Sequence, residues 1–184
     1  GHTTIVKSMG HIKTEPAQYA GFIRAGYDAV KEVLPQAIVI VHLDNGYDPQ
    51  LYDYNLGILL DHGAKFDMVG MSIYPYWAKR SHPDMAADQV ISDCMSNICR
   101  VSKKYGCPVM IVETGFEVDM DHPEVMEEGR RQLARLFSEA RHHTDGHCRG
   151  IFYWEPQTLP GGYRLGAFDS NGTPTAIMDA YNTF

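Results

Sequence analysis

The amino-acid sequence predicts an α/β fold with a parallel sheet, and the prediction rests on two features of the chain. Four short apolar, β-branched runs alternate with longer segments in which apolar residues recur at helical spacing. Strands joined by helical crossovers lie parallel, and strands that are covered on both faces are continuously apolar, as these runs are. The predicted strands are 37–42, 66–74, 108–113 and 150–154.

Helices are predicted before the first strand and between successive strands. The first covers 15–34, with Thr14 as its N-cap and Pro16 in its first turn. Gly63 and Gly106 supply end signals for the next two. The apolar faces of the later helices are Leu51, Tyr54, Ile58 and Leu59; Ile91, Met95, Ile98, Val101 and Tyr105; and Val125, Gly129, Leu133, Leu136 and Ala140, with a short closing helix after Pro174.

This order of elements is compatible with an open doubly wound sheet or with part of a (β/α)₈ barrel. A nucleotide-binding doubly wound sheet typically carries a glycine-rich turn after a strand, and the sequence has no such motif. The strands are followed instead by the polar and aromatic stretches HLDNGYD, SIYPYW, ETGFEVDMD and YWEPQ. Polar groups collected at the carboxyl ends of successive strands are typical of the barrel. A complete barrel has about 250 residues, so four units amount to roughly half of one.

Composition and charge narrow the class of protein. The chain has 184 residues, of which 44% are hydrophobic, and one domain over 1–184 is the simplest prediction. Its 16 basic and 23 acidic residues give a net charge of -7, and no basic cluster is interleaved with aromatics, so nucleic acid is not an expected partner. No membrane span is expected either. The four cysteines form no CxxC pair that would indicate a zinc or redox site.

Glu113 is the first candidate for a functional side chain. It follows the apolar run VMIV directly, and an ionised carboxylate buried in a core is costly to desolvate. We therefore expect it at the rim of a site, although a role in capping the next element or pairing with an arginine is the alternative. His42 and Asp44 lie two residues apart at the end of the first strand and point to one side. A hydrogen-bonding role, to substrate or to Glu113, is more economical for them than metal binding.

Aromatic residues are concentrated at two other strand ends. Trp154 ends the last predicted strand, where its flat apolar face is of the kind that stacks on a sugar ring; a core position is the alternative. Tyr74, Tyr76 and Trp77 lie within four residues of each other after the second strand. They form either a binding platform or the packing beneath a long loop.

Two stretches contain residue types that bind metals. Glu117, Asp119 and Asp121 offer the oxygen ligands that calcium prefers but lack the EF-hand pattern, so a solvated acidic loop is favoured and calcium stays an alternative. The stretch HHTDGHC, 142–148, falls in a helix-to-strand loop at the opposite end of the strands, where no metal site is expected.

Four motifs in this order and spacing carry a resemblance to a known family. VHLDNGYD, FDMVGMSIYPYW, PVMIVETGF and GIFYWEP resemble the second half of glycoside hydrolase family 53, the arabinogalactan endo-β-1,4-galactanases, and the likeness extends from about Pro16 to the C-terminus. The resemblance implies an α/β fold that is the C-terminal half, strands five to eight, of a (β/α)₈ TIM barrel. It also implies a polysaccharide substrate, retaining hydrolysis of pectic galactan, no cofactor, and an extracellular or periplasmic location.

The resemblance implies a role for several of the candidates. Glu113 matches the nucleophile on the seventh strand, and Tyr74 matches the tyrosine that contacts it. Trp154 matches the aromatic beneath the sugar at the cleavage site. The resemblance also implies a cis peptide between Trp154 and Glu155. The other positions expected to line the substrate cleft are His42, Asp44, Tyr76, Trp77 and Glu155.

The sequence departs from the family in two places. Ile73 stands where the family usually has an aromatic residue, which affects packing more than catalysis. The acid/base glutamate of the fourth strand is absent, and 1–13 resemble the loop that follows that strand. The chain by itself is therefore expected to be inactive, and to associate with the missing N-terminal half or with itself. A hydrolase of the same clan acting on another β-linked glycan such as mannan, or a non-catalytic carbohydrate-binding fragment, are the alternative functions.

Overall fold

The structure, a computed structural model, describes residues 12–157 and 163–183. Helices and strands alternate along the chain, as the sequence predicts. The strands are β1 (Ile40–Leu43), β2 (Met68–Ile73), β3 (Val109–Thr114) and β4 (Cys148–Ile151). The helices are α1 (Pro16–Val33), α2 (Pro49–Asp61), α3 (Pro75–Ser81), α4 (Ala87–Tyr105) and α5 (Pro123–His142), and a 3₁₀ helix covers Ala176–Thr183.

The four strands form one parallel sheet in the order β1-β2-β3-β4, so each strand pairs with its neighbour in sequence. This arrangement of strands and helical crossovers is that of a half-barrel, and it confirms the predicted α/β class. The last strand begins two residues earlier and ends three residues earlier than predicted, at Ile151. Beyond it the chain still follows β3, because the Phe152 N–H donates to the Ile111 carbonyl at 2.8 Å.

The helices cover one face of the sheet, and the core lies between them. Side chains from this face of β2 and β3 are fully buried, and they pack with apolar residues of α2, α4 and α5. The buried strand residues of this layer are Val69, Met71, Ile73, Val109 and Ile111. No helix among residues 12–157 and 163–183 covers the opposite face, here called the inner face.

Local signals explain where the helices begin and end. Asp48 caps α2 by accepting the N–H groups of Gln50 and Leu51, and Pro49 occupies the first turn. Gly106 ends α4 in the left-handed region with φ 68°, which glycine adopts without steric cost. The N-cap of α1 is Glu15, not the predicted Thr14, and its side chain makes no capping bond.

Helix α1 is held by polar contacts more than by burial. Ala20 is its one buried residue. The carboxylate of Asp67 accepts the Tyr27 hydroxyl at 3.1 Å and pairs with the Lys31 ammonium at 2.8 Å, which ties α1 to the start of β2. Much of the apolar side of α1 is consequently uncovered, and Phe22 is exposed there.

Both edges of the sheet are bordered by apolar grooves. A groove of about 370 Å³ runs between α1 and β1, and another of about 410 Å³ lies between α5 and β4. Neither edge strand has a partner on its outer side within the part of the chain that the structure describes. The first groove is lined by Tyr19, Phe22, Ile23, Tyr27, Val30 and Val39, among others.

The four cysteines are free thiols in the structure, and burial raises the pKa of the Cys94 thiol. Among the described helices, none combines the length and the apolar character that crossing a membrane requires.

Candidate active site

The candidate site is built on the inner face of the sheet at the carboxyl ends of the strands. A Cβ added to Gly70 would lie 2.9 Å from side-chain atoms of both Ile40 and Val112, which places these three residues on this face. Side chains alternate along a strand, so His42 and Ser72, each two residues farther on, face the same way. Polar groups of two neighbouring strands therefore meet at this end of the sheet.

A β-bulge brings Glu113 into this group. The register pairs Met71 with Ile111 but Ser72 with Glu113, so Val112 is the extra residue of β3. Strict alternation would have placed Glu113 on the helix-covered face beside Ile111. Because of the bulge, its carboxylate lies on the inner face opposite Ser72.

One oxygen of the Glu113 carboxylate is held by two hydroxyl groups. The hydroxyls of Ser72 and Tyr74 both donate to Oε2, each at 3.2 Å. The His42 ring extends the network, with Nε2 2.5 Å from Ser72 Oγ and Nδ1 3.8 Å from Glu113 Oε1. Tyr74 thus bonds directly to Glu113, as expected, whereas His42 bonds to Ser72 and reaches Glu113 only through it.

The electrostatics of the site keep Tyr74 protonated. Burial raises the pKa of the Tyr74 phenol well above its ordinary value, and the neighbouring Tyr163 and Glu113 raise it further. An ionised tyrosine would place a second negative charge beside the carboxylate. Tyr74 therefore acts as a hydrogen-bond donor toward Glu113 over the whole ordinary pH range.

Trp154 is held beside the end of β3. Its backbone N–H donates to the Thr114 carbonyl at 2.9 Å, and its side chain is 42% exposed, so the ring is not a core tryptophan. The predicted cis peptide between Trp154 and Glu155 is wrong: every described peptide bond is trans, and the chain turns here through Glu155 in the left-handed region with φ 41°. The bend after Trp154 therefore does not have the geometry that the family resemblance implies. Glu155 itself is exposed.

Tyr76 and Trp77 lie on α3, a helix that the sequence analysis did not predict. The two rings meet edge to face with centroids 4.7 Å apart, and the Arg80 guanidinium lies 5.7 Å from the Tyr76 centroid. Arg164 approaches the same ring at 5.3 Å and pairs with Glu117. This cluster borders a cavity of about 480 Å³ on the helix side of the rim, and Glu113 does not line that cavity.

The remaining predicted residues take part in local contacts. Asp44 is exposed, and its Oδ1 accepts the backbone N–H of Asn45 at 2.7 Å. Asp119 accepts the Asp121 N–H at 3.1 Å and lies 2.9 Å from His122 Nδ1. Within residues 12–157 and 163–183, no three His, Cys, Asp or Glu side chains are arranged to hold a metal ion.

The segment 163–168 supports the loop after β3, which the sequence did not indicate. The Tyr153 hydroxyl accepts the Phe116 N–H at 2.9 Å and donates to the Gly166 carbonyl at 2.6 Å. The Val118 N–H donates to the Arg164 carbonyl at 3.0 Å. The loop that follows Glu113 is thus fixed on one side by Tyr153, just after β4, and on the other by this segment.

Ser72 is the site residue that the sequence analysis missed. It is only 2% exposed and lies inside an otherwise apolar strand, where a serine resembles a small core residue. The signal that could have found it is its position two residues before Tyr74, because residues i and i+2 of a strand share a face.

Comparisons with known proteins find related sequences and a related fold. The family model for glycosyl hydrolase family 53 matches residues 2–182. A probable arabinogalactan endo-beta-1,4-galactanase A from Aspergillus terreus is 29% identical over 145 residues, which are 70% of this chain and 38% of that protein. A protein from Niallia circulans, named for the bgaB 5' region, is 27% identical over 165 residues, 78% of this chain and 41% of that one.

A solved structure has the same fold. A chain from a study of the structures of two fungal beta-1,4-galactanases superimposes on this chain with a TM-score of 0.75 at 18% sequence identity. The match covers 96% of this chain and 57% of that one. The present chain spans about two fifths of the length of the curated relatives named above. Since the family model matches nearly the whole sequence, the chain belongs to glycosyl hydrolase family 53.

Proposed function

We propose that the chain carries the nucleophile of an endo-acting, retaining glycoside hydrolase that cleaves β-1,4-galactan, the arabinogalactan type I side chains of pectin. The observation that supports this most directly is the arrangement at Glu113. Its Oε2 is held by the Ser72 and Tyr74 hydroxyls, and neither of these donors reaches Oε1. The carboxylate thus has one oxygen that accepts two hydroxyl groups, whereas Oε1 lies 3.8 Å from His42 Nδ1. Family membership and the names of the relatives support the choice of galactan.

In this proposal Glu113 Oε1 attacks the anomeric carbon and forms a glycosyl-enzyme. A retaining glycosidase needs a second carboxyl group about 5 to 5.5 Å away, which protonates the leaving oxygen and later activates water. Trp154, exposed beside the end of β3, offers its face to the sugar at the cleavage site. His42 and the more distant Tyr76, Trp77, Asp44 and Glu155 are proposed to line the cleft.

The acid/base is proposed to come from outside this chain. Glu117 is paired with Arg164, and Glu155 is exposed at the bend after Trp154, so neither is placed as a partner of Glu113 by the contacts described above. We expect the isolated 184 residues to show no turnover of galactan. The proposed partner is the N-terminal half of the barrel, which would supply the acid/base and cover the open sheet edges. An extracellular or periplasmic location is proposed because galactan is a polymer outside the cell.

The test uses a complete catalytic domain that combines this chain with an N-terminal half. Glu113→Gln is expected to remove hydrolysis of β-1,4-galactan by orders of magnitude, because an amide cannot form the glycosyl-enzyme. Glu117→Gln is the matched control, and it should retain activity. A 2-fluoro-galactosyl fluoride should label the Glu113 peptide, as read by mass spectrometry.

The outcome that would contradict the proposal is a label on another residue, or unchanged turnover in Glu113→Gln. Products from mannan but not from galactan would indicate the alternative substrate. Galactan hydrolysis by the isolated chain would refute the requirement for a second half.

A further inference from the structure

We propose that Ser72 is a positioning residue that fixes which oxygen of Glu113 attacks the sugar and that assists the later departure of Glu113 from the glycosyl-enzyme. The inference rests on the proposed role of Glu113 as nucleophile. It is carried by the contacts of the Ser72 hydroxyl, which lies between His42 Nε2 at 2.5 Å and Glu113 Oε2 at 3.2 Å.

The number of available protons determines which group donates and which accepts in each of these hydrogen bonds. A serine hydroxyl has one proton to donate, and a carboxylate oxygen can only accept. When Ser72 donates to Glu113 Oε2, the His42 ring must donate to Ser72 through an Nε2–H. Neutral His42 is therefore the Nε2–H tautomer, an assignment that follows from the hydrogen-bond network. His42 in turn holds the Ser72 proton on the carboxylate.

Burial makes this arrangement hard to replace. Ser72 is nearly inaccessible to solvent, and the bulge at Val112 sets it directly opposite Glu113 in the sheet register. Removal of the hydroxyl would take away one of the two described donors to Glu113 Oε2 and would leave Tyr74 as the other. The Glu113 side chain is 23% exposed, so water replaces the lost donor only in part, whereas the exposed His42 ring can give its N–H to solvent.

The charge on Glu113 changes in opposite directions in the two steps of the reaction, glycosylation and deglycosylation. In the first step an electron pair of Oε1 forms the bond to the anomeric carbon, while the leaving oxygen departs with its bonding pair and takes a proton from the acid. Glu113 thereby becomes a neutral ester. In the second step water attacks the anomeric carbon, the base takes the water proton, and the bonding pair returns to Glu113.

The charge that returns in the second step is shared between both oxygens of Glu113. Ser72 and Tyr74 already point to Oε2, so their hydrogen bonds strengthen as the carboxylate re-forms. The same bonds stabilise the free carboxylate before the first step and do not favour its attack. Loss of the Ser72 hydroxyl should therefore slow deglycosylation more than glycosylation.

The experiment measures the two steps separately in the complete catalytic domain. With an aryl β-galactobioside that has a good leaving group, Ser72→Ala should keep its initial burst and lose about tenfold or more in steady-state rate, the effect of one hydrogen bond to a charged group. Intact mass spectrometry should find the glycosyl-enzyme accumulated. Ser72→Thr, which keeps the hydroxyl, should restore the rate. Ser96→Ala is the control, since Ser96 is exposed on α4 and bonds to the Ser92 carbonyl.

Three results would overturn the role of Ser72: equal slowing of both steps, no accumulated adduct, or no rescue by threonine. If Ser72→Ala does not fold, ¹⁵N NMR of the unsubstituted protein decides, because a neutral His42 protonated on Nδ1 contradicts the network. A 2-fluoro sugar that labels a residue other than Glu113 refutes the proposed function instead, so the two failures are distinguishable.

Discussion

At the scale of single residues, contacts between neighbouring elements give each side chain its role. For Tyr74 the decisive feature is burial beside Glu113, because burial raises the pKa of the phenol and keeps the hydroxyl protonated as a donor to Glu113. Glu113, Tyr74 and His42 were predicted from their positions at strand ends, and the structure brings them together. Ser72 could not be identified in this way, because its role depends on contacts with two residues that are distant in sequence.

Asp53 provides a test of electrostatics away from the site. Its carboxylate accepts Lys104 at 2.8 Å and Arg100 at 2.6 Å, which joins α2 to α4, and these two bonds lower its pKa to about 2. Because the pKa in the folded state lies below the ordinary 3.8, the stabilisation is present above that pH and is lost as the pH falls from about 4 to about 2.

We expect Asp53→Asn to lower the free energy of unfolding at pH 7 by less than about 1 kcal/mol, since the group is well exposed and screened by solvent. The difference from the unsubstituted protein should vanish near pH 2 and shrink in high salt. Urea unfolding at both pH values checks this. Asp61→Asn, at the exposed end of the same helix, is the control, and an equal loss there would refute the role of the ion pairs.

At the scale of elements, the helices were well predicted, whereas local irregularities were not. The faces and ends of α4 and α5, and the end of α2, follow from apolar spacing and end signals. The predicted face of α2 is wrong in part, because apolar residues lie all around this helix: Tyr54 is 48% exposed, whereas Tyr52 and Leu56 are buried beside Leu59. Helix α3 was missed because its aromatic residues directly follow a strand and resemble a loop. The bulge in β3 was missed because alternation cannot be read from a strand that is apolar throughout, and the trans turn at Glu155 depends on a backbone angle that no spacing encodes.

The contact between Gly115 and Leu165 tests how the segment 163–168 supports the site. A Cβ at Gly115 would lie 2.6 Å from the Leu165 carbonyl oxygen and 3.3 Å from the Tyr74 ring. Gly115→Ala should therefore displace the backbone and reduce the free energy of unfolding by about 1–3 kcal/mol, as overpacking does.

Denaturant unfolding measures this change, with Gly57→Ala as the control. Gly57 lies inside α2 with open space around its Cα, so alanine should stabilise the chain there by about 0.5–1 kcal/mol. Opposite signs for the two alanines are expected. If Gly115→Ala leaves the free energy of unfolding unchanged, the segment 163–168 moves to accommodate the methyl group without loss of stability.

At the scale of the whole molecule, the described part of the chain forms a half-barrel in which neither edge strand has an outer partner. The α/β class and the parallel order were predicted from the alternation of elements, and the likeness to the fungal galactanase fold agrees with them. Unpaired strands that are flanked by apolar grooves favour association with a further strand. The groove between α1 and β1 is lined mainly by apolar side chains, and Phe22 in its lining is exposed.

We expect Phe22→Asp to weaken the proposed association with an N-terminal half-barrel by about tenfold or more, because burial of a phenylalanine side chain contributes about 1.5–3 kcal/mol. Leu60→Asp is a matched control, since Leu60 is 41% exposed against 44% for Phe22 and lies on α2 outside the groove lining. Sedimentation velocity of mixtures gives the affinities. Equal losses in the two variants would exclude the α1 groove as the docking surface.

The bulge at Val112 affects how related chains should be aligned. Val112 and Glu113 both face inward, so a strand that lacked Val112 would be regular and would still present its carboxylate opposite Ser72. A relative without the bulge would thus carry the same acid one residue sooner. An alignment that allows no gap at this point would place a neighbouring residue against Glu113, and the proposed nucleophile would be assigned to the wrong position.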